Sequence, residues 1–101
     1  MDYLKEYGIT SEQIESIKEI IDIAEVNIDI FLYNEEKVKA ILDLFKNIGV
    51  RNFYEIIITN PYMFYDTVRS IEMRIKGYKD KNELAMLINQ DPTNLELIQL
   101  C

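Results

Sequence analysis

The chain is a succession of short apolar stripes at helical spacing, each stopped by a glycine, a proline or a polar cap within about four turns. That punctuation constrains the fold more than any other feature. Isolated helices of this length are marginal in water, so none of these segments stands alone. Each must bury its single stripe against the others. The pattern predicts an all-α protein: one compact domain over residues 1–101, built of about six short helices packed as stacked helical hairpins or an orthogonal bundle.

The stripes read as follows. Asp2–Tyr7 forms one or two turns before Gly8. Thr10 and Gln13 have the spacing of a capping box, in which a hydroxyl and an amide satisfy backbone donors reciprocally. Ile14, Ile17, Ile21 and Ala24 follow as the inward face, with Ile20 beside them. Residues 27–33 alternate like a strand around Ile28 and Ile30, but no second strand exists to pair with them. A buried loop or a short helical turn is the expectation there. Asn34 is placed to cap a helix with Val38, Ile41, Leu42 and Phe45 inward, closed by Gly49 and Val50. Asn52 is placed to cap the next, with Phe53, Ile56 and Ile57 inward, until Pro61. Tyr62–Tyr65 reads as an irregular aromatic turn. A helix from Asp66 or Thr67 carries Val68, Ile71 and Ile75 and ends at Gly77. Asp80 with Glu83 opens a helix bearing Leu84, Leu87 and Ile88, and Asp91-Pro92 breaks it. Thr93 and Glu96 repeat the capping-box spacing before Ile98.

Composition removes several function classes. The chain has no histidine, which excludes histidine-based triads and haem ligation by histidine and disfavours catalytic zinc. The single cysteine, Cys101, permits neither an internal disulfide nor a thiolate cluster. The three glycines lie far apart, so no phosphate-cradling loop forms. No apolar run spans a bilayer, and the acidic start Met1-Asp2-Tyr3 lacks a signal core. The expectations are therefore no catalysis, no cofactor, no metal, no membrane contact and a cytoplasmic location.

Three segments share a pattern. Leu4 to Ile14 contains Gly8; Leu44 to Ile56 contains Gly49 and runs on to Asn60-Pro61; Ile75 to Leu84 contains Gly77 and runs on to Asp91-Pro92. Each reads as helix, glycine stop, polar cap, helix, and the last two end in proline. Over residues 35–98 this resembles the repeat of the mitochondrial transcription termination factor family. In that repeat a helix ends in glycine, a second follows, and proline opens a short third turn. The resemblance implies stacked helical hairpins. It also implies nucleic-acid binding through a basic concave face, which this chain does not offer as a whole.

The net charge is −7, and its distribution is uneven. Residues 1–50 hold 11 acidic and 5 basic side chains, whereas residues 51–101 hold 7 and 6. Glu12, Glu15, Glu19 and Asp22 share one face of the first long helix. Exposed carboxylates in one environment do not divide acid–base roles, and the row lacks calcium-loop spacing. It reads either as a solvated face or as an electrostatic surface for a cationic partner. The opposing feature is Arg69, Arg74, Lys76, Lys79 and Lys81 with Tyr78 among them, a candidate track for phosphates and bases. Asp66, Glu72, Asp80 and Glu83 interrupt it.

These readings converge on a non-catalytic interaction module that binds a macromolecule, first of all a protein with a basic surface, through the Glu12–Asp22 face. An acidic inhibitor or decoy of a nucleic-acid-binding protein is one alternative. A nucleic-acid-binding module of the termination-factor type, working through Arg69–Lys81, is the other.

Overall fold

The computed structural model describes residues 1–100; Cys101, on which the disulfide argument rests, lies outside them. The described residues form six α-helices and three 3-10 helices, with no strand. In chain order these are η1 (Asp2–Tyr7), α1 (Ser11–Ile23), α2 (Asp29–Leu32), α3 (Glu35–Ile48), α4 (Phe53–Thr59), η2 (Pro61–Tyr65), α5 (Val68–Lys76), α6 (Lys81–Gln90) and η3 (Pro92–Ile98). The radius of gyration is 12.7 Å, the size of one compact domain of this length.

Local signals explain most of the helix ends. Thr10 Oγ1 accepts from the Gln13 N–H at 3.1 Å, and Gln13 Oε1 accepts from the Thr10 N–H at 2.9 Å, completing the capping box of α1. Asp80 accepts from the Glu83 N–H at 3.1 Å and starts α6. Pro61 and Pro92 each occupy the first turn of a 3-10 helix, where a missing N–H costs nothing. Residues 27–33 contain the single helical turn α2, with Phe31 buried.

Three expected caps are replaced by other solutions. Asn34 and Asn52 make no side-chain bond to their helix N-termini. The Asn52 amide instead donates 2.8 Å to the Ile88 carbonyl at the far end of α6. The Thr93–Glu96 box does not form, because Asp91 takes the cap one position before Pro92 and accepts from both Thr93 N–H and Thr93 O–H. Those two bonds hold the Asp91 carboxyl below the usual carboxylate range.

Three helices end in the same left-handed turn. In each, two backbone bonds close the last turn and a buried aliphatic residue follows. At α3, Gly49 (φ 109°) bonds to Lys46 and Val50 to Phe45. At α1 the left-handed residue is Glu25 (φ 59°), with Val26 bonded to Ile21. At η3 it is Gln99 (φ 63°), with Leu100 bonded to Leu95. Val26, Val50 and Leu100 are all buried, so each turn drives an aliphatic anchor into the core. Gly77 differs: it closes α5 in a right-handed conformation, φ −71°.

One apolar core runs through all the elements. α1 packs on α4, α3 on α5 and α6, and η3 on α4 and α6. Phe31, Phe45 and Phe64 are fully buried, and Phe31 meets Phe64 with ring centroids 5.0 Å apart. Tyr7 meets Phe53 edge-on at 5.2 Å. Among the described residues no polar or charged side chain is buried, so the core there holds no ionic network.

Tyrosine hydroxyls tie the loops to this core. Tyr3 donates to the Phe31 carbonyl at 2.6 Å, and Tyr7 donates to Asp43 Oδ1 at 2.8 Å. Burial first, then the Glu35 charge, raises the Tyr3 phenol far above its usual range. Burial, the Asp43 bond and the Asp43 and Glu6 charges do the same for Tyr7. Tyr62 donates to the Ala24 carbonyl at 2.5 Å, while Tyr65 Oη accepts from the Asn27 N–H at 3.0 Å. Both tyrosines thus grip the left-handed turn around Glu25.

A candidate interaction face on the first long helix

The residues of α1 divide cleanly by helical angle. At 100° per residue, Ile14, Ile17 and Ile21 fall within one arc of about 60° and are buried. Glu12, Glu15, Glu19 and Asp22 fall on the opposite side, and all four are exposed. Glu15 pairs with Lys18 at 3.1 Å on that surface, an exposed contact worth a few tenths of a kcal/mol. Among the described residues, Glu12, Glu19 and Asp22 enter no ion pair. The structure therefore assembles the four predicted carboxylates on one solvent-facing stripe.

Two apolar features adjoin them. Ile23 is 81% exposed, the most exposed large hydrophobic side chain of the described chain. It lies one turn beyond Glu19 and about 20° from Glu12 around the helix, so it belongs to the carboxylate face. Ile23 lies off the 14–17–21 stripe, so apolar periodicity does not mark it. Its spacing of four from Glu19 was the available signal. The second feature is a groove of about 370 Å³ between α1 and the turn after it. Ile21, Val26 and Ile28 line its apolar part, and Glu15, Lys18, Glu19 and Asp22 line its polar part.

The basic candidates are not brought together in this way. Arg74 is turned inward, with Nη1 donating to the carbonyls of Ile98 and Gln99 and to Gln99 Oε1. Its Nε sits 3.7 Å from Asp66 Oδ2. Lys81 donates 3.1 Å to the Lys76 carbonyl, and Lys76 lies 3.8 Å from Glu72. Arg69 and Lys79 are exposed and enter no ion pair among the described residues. Two of the five cations thus serve helix ends rather than a surface.

Other chemistry is sparse. Among the described residues, no group of three or more histidine, cysteine, aspartate or glutamate side chains is placed to hold a metal ion. No helix there is long and apolar enough to cross a membrane. In comparison with known proteins, no family model, no curated protein and no solved structure matches this chain.

Proposed function

We propose that this chain is a non-catalytic helical interaction module that docks a protein with a basic surface through α1. The observation that carries the reading is the unpaired, exposed carboxylate stripe Glu12–Glu19–Asp22, joined by Glu15. Such a surface speeds encounter with cationic partners and repels phosphate backbones. The test is affinity capture from a cell lysate at low salt. It compares the wild-type chain with a Glu15→Lys/Glu19→Lys variant on parallel supports. A basic protein retained by the first and lost by the second, with retention falling as salt rises, supports the reading. Equal retention on both supports overturns it. An acidic decoy presents the same face, and competition between this chain and DNA for the captured protein separates a decoy from a simple docking module.

A second reading draws on the element order. α3, α4 and η2 are followed by α5, α6 and η3, so helix, helix and proline-led 3-10 turn occur twice in succession. Corresponding helices of neighbouring units also pack together, α1 on α4 and α3 on α5. This supports the resemblance to termination-factor repeats in architecture. Its nucleic-acid function would fall to Arg69, Lys76 and Lys79, since Arg74 and Lys81 hold backbone carbonyls. A gel shift at low salt with single- and double-stranded probes tests it.

A further inference from the structure

We draw no further inference here: the strongest candidate, the apolar groove between α5 and η3 where the exposed side chains of Met73 and Leu97 adjoin Tyr78, is an unpartnered face, and nothing in the structure shows what covers it.

Discussion

Arg74 and Gln99 form one structural unit. The Arg74 guanidinium on α5 donates 3.3 Å to the Gln99 carbonyl and 3.3 Å to its side-chain oxygen, and reaches the Ile98 carbonyl at 3.4 Å. Gln99 is the left-handed residue that ends η3, so its carbonyl and that of Ile98 have no continuing helix to bond them. A cation at a helix C-terminus also complements the dipole. Arg74→Ala should cost about 1–2 kcal/mol in denaturant unfolding. Arg74→Lys should recover only part, because an ammonium lacks the planar fork. A stability equal to wild type in both variants would show that the guanidinium is a surface group free for ligands.

The left-handed turns make a paired prediction. Glu25 and Gln99 adopt φ near 60°, where a side chain is strained and glycine is not. Glu25→Gly and Gln99→Gly should each stabilise by about 0.5–1 kcal/mol. Gly49→Ala should destabilise by about 1 kcal/mol. A Cβ at Gly49 would meet Ala85 Cβ at 3.6 Å, an ordinary contact, so the loss there would report the backbone conformation at φ 109°. Urea midpoints for the three variants check the signs. A destabilised Glu25→Gly would mean that the Glu25 side chain does more than its backbone position shows.

Asn89 clamps the loop between α3 and α4 from 40 residues away. Its amide donates 3.0 Å to the Gly49 carbonyl, and its carbonyl accepts 2.8 Å from the Arg51 N–H. Asn52 returns a bond from that loop to Ile88. Asn89→Ala removes two exposed bonds whose loop groups can turn to water, and should cost about 0.5–1.5 kcal/mol. Amide exchange at Arg51 should accelerate in the variant, and unchanged protection there would count against the clamp.

The separation in sequence between partners explains what was legible beforehand. Thr10–Gln13 and Asp80–Glu83 are contacts three residues apart, so they are written in the local spelling. Asn34 and Asn52 look like caps by the same spelling, yet Asn52 is drawn to Ile88, 36 residues away, by a contact that no local window contains. Thr93 loses its cap to Asp91 because Pro92 fixes the first turn one step earlier. Glu25 and Gln99 end helices without glycine, which left both stops unmarked. The carboxylate face was legible because helical angle alone assembles it. The withdrawal of Arg74 and Lys81 from the basic stretch was not, since their acceptors are backbone carbonyls.

Alkaline pH provides a further check on the tyrosine ties. Tyr3 and Tyr7 have phenols raised above the usual value of 10.0, Tyr3 chiefly by burial and Tyr7 by burial and then its bond to Asp43. Above pH 10 the unfolded chain therefore releases these protons while the folded chain keeps them. Stability from this source is complete below pH 10 and falls as pH rises beyond it. The Lys39 ammonium, raised by its bond to Glu6, acts in the same direction. Tyr3→Phe and Tyr7→Phe should each flatten the decline in denaturant midpoint between pH 9 and 11. An unaltered slope in both would place the alkaline sensitivity elsewhere.

The last prediction concerns the binding face. Reversal at Glu15 and Glu19 removes two of the four carboxylates on α1 and introduces two cations in their place. Both side chains are exposed, and the core contacts of α1 run through Ile14, Ile17 and Ile21 on the far side, so the fold should survive with a change in stability within about 0.5 kcal/mol. The Glu15–Lys18 pair is lost, but an exposed pair of this kind contributes little. Electrostatic complementarity acts mainly on encounter, so association with the captured basic partner should slow, and its dependence on salt should flatten. The mirror test belongs on Lys76 and Lys79 and not on Arg74, because reversal at Arg74 would break the end of η3 and report stability instead of binding. Lys76→Glu/Lys79→Glu should leave the association rate nearly unchanged. Stopped-flow association at several salt concentrations measures both variants. If the lysine reversal abolishes binding while the glutamate reversal leaves it intact, the interaction face lies on α5, and the nucleic-acid reading takes first place.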